Sequence, residues 1–192
     1  MRLILSSCDF SNPSSRRCIT EHLPVKLARC RVLFIPNEKA TSEKIQSGKY
    51  HARLQSYGFM PEYIYVFDHA RPNQFVGLEL DAIYVSGGNA FLTLHRLRQC
   101  GFDRELISYI RNGVTYIGGS AGAHLVTQNI EHVTAYDKAP PDMTDFSGLG
   151  LLDGILICHY TSERRTHYET LIAQNEYHVY ALTDEESLVI EK

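Results

Sequence analysis

Short apolar runs alternate with longer segments that have an apolar and a polar face along the whole chain. The apolar runs predict strands at residues 2–6, 31–35, 63–66, 82–85, 114–117, 154–158, 179–182 and 188–190. The segments between them predict helices at residues 14–28, 42–57, 89–98, 103–111 and 164–174, with a further short helix after residue 122. Short, continuously apolar strands that alternate with helices are typical of a parallel sheet covered on both faces. We therefore expect one α/β domain over residues 1–192, a doubly wound and mostly parallel sheet flanked by helices, closed by a hairpin of the last two strands.

Composition and charge narrow the functional classes. The chain has 192 residues, 44% of them hydrophobic, and a formal net charge of −3 with its basic residues scattered, so no nucleic-acid partner is expected. The apolar runs are too short to span a bilayer, and the chain starts in a predicted strand without a signal-peptide core. Five dispersed cysteines without a C-x-x-C pair favour reduced thiols over a disulfide frame or a zinc site. We expect a cytoplasmic protein, a monomer or homodimer, without metal or cofactor.

The strongest chemical signal is the run Gly118-Gly119-Ser120-Ala121-Gly122, which lies between a predicted strand and a helix-compatible segment. A serine between glycines at a strand-to-helix turn is typical of a nucleophile elbow, because the sharp turn needs small neighbours. The turn places the N–H of Ala121 at a helix start, where it can face a developing oxyanion. The alternative is a tight turn in which serine caps the helix.

A second glycine pair, Gly87-Gly88, follows the strand at 82–85 and precedes a helix. Ligands of such sheets bind beyond the carboxyl ends of the strands, so Gly88 is expected to supply a second oxyanion N–H. Asn89 is expected either to contact substrate or to cap the next helix. No Lys-Ser/Thr pair follows, which argues against a phosphate loop.

His159 ends the strand at 154–158, which we place in the centre of the sheet, and is the preferred base for Ser120. His124 follows Ser120 by one helical turn and is expected to line the pocket. It would lie behind the Ser120 hydroxyl, which makes it a weaker candidate for the base than His159. The acid that orients the imidazole is expected to be Glu185, between the last two strands, with Asp137 in the loop 132–147 as the alternative. Each of these carboxylates could instead be a solvated surface charge.

The order Ser120, His159, Glu185 differs from that of the α/β-hydrolases, in which the carboxylate precedes the histidine. Class I glutamine amidotransferases carry a cysteine nucleophile and an acid two residues after the histidine, where this chain has Thr161. The chain resembles instead the peptidase E family of aspartyl dipeptidases and cyanophycinase relatives, serine peptidases on an amidotransferase-like fold. Its resemblance covers nearly the whole chain and is carried by Ser86-Gly87-Gly88-Asn89-Ala90-Phe91, Tyr116-Ile117-Gly118-Gly119-Ser120-Ala121-Gly122, Leu149-Gly150-Leu151, Cys158-His159-Tyr160 and Asp184-Glu185.

The resemblance implies a flavodoxin-like, three-layer sandwich and a serine peptidase that cleaves small peptides, with a possible preference for N-terminal aspartate. It implies Ser120 as nucleophile, His159 as base, Glu185 or Asp137 as acid, and Gly88 and Ala121 as oxyanion donors. It places Arg165 nearest to a substrate-binding arginine of the aspartyl dipeptidases. The aspartyl dipeptidases of this family carry a tryptophan where this chain has Gly119. The resemblance also implies a further short segment after residue 192. A non-catalytic module that binds a small ligand or a partner at the same rim is the alternative function.

Overall fold

The computed structural model describes all 192 residues and shows the expected α/β architecture. Six strands form one sheet in the order β3-β2-β4-β5-β1-β8, in which only the pairing of β8 with β1 is antiparallel. Two further strands, β6 and β7, form a separate parallel pair. The strands are β1 Arg2–Ser6, β2 Val32–Ile35, β3 Ile64–Val66, β4 Ala82–Val85, β5 Thr115–Gly119, β6 Ile155–Ile157, β7 Val179–Ala181 and β8 Ser187–Glu191.

Seven α-helices connect these strands, with six short 3₁₀ turns between them. The helices are α1 Pro13–His22, α2 Ser42–Gln46, α3 Lys49–Tyr57, α4 Ala90–Gln99, α5 Phe102–Arg111, α6 Ala121–Leu125 and α7 Arg165–Gln174. None is long and apolar enough to cross a membrane.

Helices cover both faces of the six-stranded sheet. Alternate side chains of β2 point to opposite faces, as the two-residue repeat of a strand requires: Leu33 and Ile35 join one core, Val32 and Phe34 the other. The larger core holds 31 buried residues and includes side chains of α4, α5 and α6, whereas the second holds 16 and includes side chains of α1 and α3. The helix–sheet–helix layering confirms the predicted fold class.

The predicted closing hairpin is wrong. β7 pairs in parallel with β6, so that Ile155 lies opposite Val179, and β8 pairs with β1 at the edge of the main sheet. Residues 154–158 therefore end in the small sheet and not in the centre of the large one. Closeness in the sequence favoured a hairpin, but Ile155 and Ile157 of β6 pack with Val179 of β7, and side chains of α7 cover this cluster.

One predicted helix is divided and another ends early, in each case for a local backbone reason. The helix expected at 42–57 divides into α2 and α3 at Gly48, which has the left-handed φ of +75°. The helix expected at 14–28 ends at His22, because Leu23 precedes Pro24 and takes the extended ψ of 144° that a following proline favours.

The carboxyl ends of β1, β4 and β5 meet at one edge of the sheet. In the strand register, Gly118 of β5 lies opposite Leu5 of β1 and Val85 of β4. The residues that follow these strands, which include Ser7, Gly87 and Ser120, therefore gather at a single rim.

Candidate active site

Ser120 occupies a strained turn between β5 and α6. Its φ of 48° and ψ of −109° lie outside the regions that serine normally adopts. The turn is possible because its neighbours lack side chains: a Cβ on Gly122 would collide with the carbonyl oxygen of Val85, and one on Gly119 would lie 2.5 Å from Cβ of Asp9. Strain held by such close packing is typical of a site that must present one side chain in a fixed direction.

Ser120, His159 and Asp184 form a continuous hydrogen-bonded chain. Oγ of Ser120 lies 3.0 Å from Nε2 of His159, and Nδ1 of the same ring lies 2.6 Å from Oδ1 of Asp184. Each distance is within hydrogen-bond range, and the carboxylate holds the ring so that Nε2 faces the serine. The geometry therefore has the three members of a nucleophile, base and acid arrangement.

The expected acid, Glu185, is corrected to its neighbour Asp184. The Glu185 carboxylate accepts hydrogen bonds from Nδ2 of Asn12 and Oγ of Ser14, both at 3.0 Å. The alternative acid, Asp137, accepts from the N–H of Ala90 at 3.0 Å and so caps α4. Adjacent residues in this turn point in different directions, and only Asp184 faces the imidazole.

The backbone of His159 is held by a buried serine. His159 has a φ of 52°, and its N–H donates to Oγ of Ser7 over 2.9 Å. The same hydroxyl donates to the carbonyl oxygen of Leu182, just before the turn that carries Asp184. Ser7 is therefore a positioning residue that joins the backbone of His159 to the segment that leads into the Asp184 turn.

Electrostatics keep Asp184 ionised. The hydrogen bond from His159 lowers the pKa of this carboxyl, and the Cys8 thiol and the charge of Arg164 lower it further. Partial desolvation raises the pKa, but by less than these contacts lower it. An ionised Asp184 can stabilise a positive charge on the imidazole, which a general base beside a serine requires.

The Gly87-Gly88 loop passes beside Ser120. A Cβ built on Gly87 would lie 3.3 Å from Cβ of Ser120, so the loop can approach the serine only without a side chain there. Gly88 packs against Asn37 and Glu38, and Oε2 of Glu38 accepts from the N–H of Asn89 over 3.0 Å. Ala121 is the first residue of α6, where amide N–H groups have no partner within the helix.

Two of the expected pocket residues have structural contacts. Asn89 caps α4 by accepting from the N–H of Leu92 over 2.9 Å, and its amide group donates to the carbonyl of Lys138 over 3.0 Å. His124 is only 5% exposed, and burial lowers its pKa to about 3, so its ring is neutral behind the elbow. The Asn89 side chain therefore braces the rim, whereas the buried His124 ring has no hydrogen-bond partner on Nδ1.

Arg164, and not Arg165, lies against the site. Arg165 pairs with Glu169 one turn along α7 over 2.8 Å, and its side chain is 71% exposed. Arg164 donates to the carbonyl of Cys158, the residue before His159, and its guanidinium stacks 3.9 Å from the ring centre of Tyr136. The arginine that contacts the site is thus Arg164, whereas the expected Arg165 lies on the exposed side of α7.

The sequence reasoning missed Asp184 and Ser7, and it preferred Arg165 to its neighbour Arg164. The Thr183-Asp184-Glu185-Glu186 turn carried a signal for an acid, but the sequence pattern does not tell which of three neighbouring carboxylates points inwards. Ser7 had a usable signal, because it directly follows a strand that ends at the same rim as the elbow.

With this geometry in place, the comparisons define the class of protein. The model of "Peptidase family S51" matches residues 3–192, almost the entire chain. The chain belongs to peptidase family S51, a family of serine peptidases, which confirms the resemblance drawn from its motifs.

Individual relatives agree with that membership. An uncharacterized peptidase of Listeria monocytogenes is 31% identical over 137 residues, covering 68% of this chain and 66% of the relative. A protein of Drosophila melanogaster described as a "Probable alpha-aspartyl dipeptidase" is 32% identical over 133 residues, covering 67% of this chain and 52% of the relative. The chain thus spans between half and two thirds of the length of these relatives.

A solved structure shows the same fold. The crystal structure of a "Putative Peptidase E Protein" from Listeria monocytogenes EGD-e superimposes with a TM-score of 0.73 at 24% identity, over 98% of this chain and 93% of that one. At this identity, the likeness concerns the architecture alone.

Proposed function

We propose that this protein is a serine peptidase that hydrolyses small peptides with Ser120, His159 and Asp184. The observation that carries the proposal is the hydrogen-bonded chain of 3.0 Å and 2.6 Å through the two ring nitrogens of His159. Family membership supports the same activity, because the matched family consists of serine peptidases.

The proposed reaction has two halves. Oγ of Ser120 attacks the peptide carbonyl carbon while its proton moves to Nε2 of His159, and the protonated ring then gives that proton to the leaving amine. An ester to Ser120 remains. Water attacks this ester, again losing a proton to His159, and the ring returns the proton to Ser120 as the carboxylic acid leaves. Asp184 stays ionised throughout and holds the Nδ1–H.

The negative oxygen of each tetrahedral intermediate needs donors in a fixed position. We assign this role to the N–H groups of Gly88 and Ala121. The closeness of Gly87 to Ser120 and the position of Ala121 at the start of α6 support the assignment.

The substrate is proposed to be a dipeptide with N-terminal aspartate, which Arg164 recognises. A guanidinium binds a carboxylate through two parallel hydrogen bonds, and Arg164 is the cation whose charge acts on Asp184. The description of the Drosophila relative as an alpha-aspartyl dipeptidase supports this substrate class. Arg165 is already paired with Glu169 and has no such role.

Hydrolysis of a dipeptide panel that includes Asp-Ala, Asn-Ala and Ala-Ala tests the proposal. Wild type should cleave Asp-Ala, and Ser120→Ala should lose about 10⁶-fold in turnover if the three residues act as a unit. Arg164→Gln should raise KM for Asp-Ala and spare Ala-Ala, whereas the matched variant Arg165→Gln should leave both unchanged. Binding of dipeptides without turnover in wild type would favour a non-catalytic binding module.

A further inference from the structure

A thiol, an imidazole and a carboxylate meet beside the candidate active site. Sγ of Cys8, the ring nitrogen of His159 and the carboxylate of Asp184 all lie within 4.8 Å of one another. Cys8 and His159 are half-buried and Asp184 is exposed, so an ion can reach all three from solution. Thiolate, imidazole and carboxylate are the three ligand types of zinc in proteins.

We propose that Cys8, His159 and Asp184 bind one Zn²⁺ ion and that this ion inhibits the enzyme. Inhibition by zinc rests on the proposed function, whereas zinc binding itself does not. Tetrahedral zinc keeps its ligand atoms about 3.5 Å apart. Nδ1 of His159 and Oδ1 of Asp184 are 2.6 Å apart, so zinc binding requires these two atoms to separate by about 1 Å. Asp184 lies in an exposed turn, which allows this movement.

The local charge favours a divalent cation at this place. The carboxylates of Asp184, Asp9 and Glu185 all act on the Cys8 thiol. Two arginines oppose them: Arg164 through its charge on Asp184, and Arg53 through its charge on Asp9. Three carboxylates against two guanidinium groups leave a net attraction for Zn²⁺.

Binding would inhibit by changing which ring nitrogen carries the proton. The Cys8 thiol loses its proton to solvent as the sulfur binds zinc. His159 offers the Nδ1 lone pair to the metal, so the single proton of the neutral ring moves to Nε2. Nε2 then donates towards Ser120 and cannot accept its proton, so the serine is not activated. No contact between the metal and Ser120 is required.

No other cysteine of the chain has this set of neighbours. Cys18 lies 3.8 Å from Nδ1 of His22, and Cys100 lies 3.9 Å from Nδ1 of His69, but neither pair has a third ligand in range. The spacing of the residues, 8, 159 and 184, could not reveal the cluster, because only the fold brings β1, the end of β6 and the 183–186 turn together.

Calorimetric titration with Zn²⁺ tests the site without any substrate. Wild type, Ser120→Ala and Cys18→Ser should each bind one ion with the same affinity. Cys8→Ser should bind more than about 100-fold more weakly, since the loss of even an outer partner of a metal ligand costs 10- to 100-fold. With Co²⁺ in place of Zn²⁺, the thiolate-to-metal absorption should appear in Cys18→Ser and be absent in Cys8→Ser.

Three outcomes separate the two proposals. Equal binding by Cys8→Ser and wild type, or loss of binding in Cys18→Ser, overturns the site. Tight binding through Cys8 to a protein that cleaves no peptide keeps the site and overturns the proposed function. We expect zinc to abolish turnover at the concentration that fills the site, and a chelator to restore it. If zinc binds tightly to an active enzyme and does not reduce its turnover, the proposed inhibition by tautomer exchange is overturned.

Discussion

Oδ1 of Asp184 lies 2.6 Å from Nδ1 of His159, although the two residues are 25 positions apart. Asp184 is carried by the turn that joins β7 of the small sheet to β8 at the edge of the large sheet. His159 stands two residues after β6, so the pairing of β6 with β7 brings base and acid together. The small sheet is therefore the element that assembles the acid–base half of the site.

The first prediction separates Asp184 from Glu185. Asp184→Asn should lower kcat by about 10⁴, because an amide no longer fixes the ring tautomer that presents a lone pair to Ser120. Glu185→Gln, the matched change one residue along, should change kcat less than about twofold, since Glu185 binds Asn12 and Ser14. Steady-state kinetics on a cleaved dipeptide measure both. The reverse ranking of the two variants would restore Glu185 as the acid.

The sequence predicted the positions of the strands well because they are short, mostly apolar and bounded by turn residues, but it assigned β6 to the wrong sheet. It also indicated Ser120 and His159, since the glycines of the elbow and the position of the histidine after a strand follow from local backbone rules. The choice among Asp184, Glu185 and Asp137 depended on side-chain directions, which neither hydrophobic pattern nor spacing contains. The pairing of β8 with β1 also joins the two ends of the chain, a contact that local patterns cannot predict.

Ser7 is predicted to matter for both stability and turnover. Ser7→Ala removes the acceptor of the His159 N–H and the donor to the Leu182 carbonyl, both at a buried position. Unfolding in urea should show a loss of about 1–3 kcal/mol, the usual cost of leaving buried partners unsatisfied. kcat should fall while KM changes little, because the imidazole loses its position. An unchanged kcat with reduced stability would limit Ser7 to a structural role.

The elbow should tolerate no side chain at Gly122. In Gly122→Ala the added Cβ meets the backbone carbonyl of Val85 and cannot move aside, so a loss of about 1–3 kcal/mol or more is expected from overpacking. Gly150→Ala is the control: it has open space around its Cβ but a φ of +63°, so it reports the backbone cost alone. Thermal unfolding compares the two variants. Gly122 has no left-handed φ, so an unchanged stability of Gly122→Ala would mean that a small shift relaxes the contact with Val85.

The last prediction concerns the buried histidines and acid stability. Burial, with smaller contributions from neighbouring cations, lowers the pKa of His124 to about 3 and that of His132 to about 4. His124 faces His132, His159 and Arg164, and His132 faces His167, so no carboxylate favours their protonated forms. In the unfolded chain a histidine titrates near 6.5. Between about pH 6.5 and the folded values, the unfolded chain therefore binds protons that the folded protein does not.

The free energy of unfolding should therefore fall as the pH falls below about 6.5, by about 1.4 kcal/mol per pH unit for each such histidine. Neither ring nitrogen of His132 has a hydrogen-bond partner, so His132→Phe replaces the ring without breaking a bond. In this variant, the slope of the free energy of unfolding against pH should be smaller by the contribution of one histidine, about 1.4 kcal/mol per pH unit. Urea unfolding at about pH 8, where the histidines are neutral in both states, isolates the packing effect of the new ring. A slope identical to that of wild type would show that His132 is protonated in the folded protein.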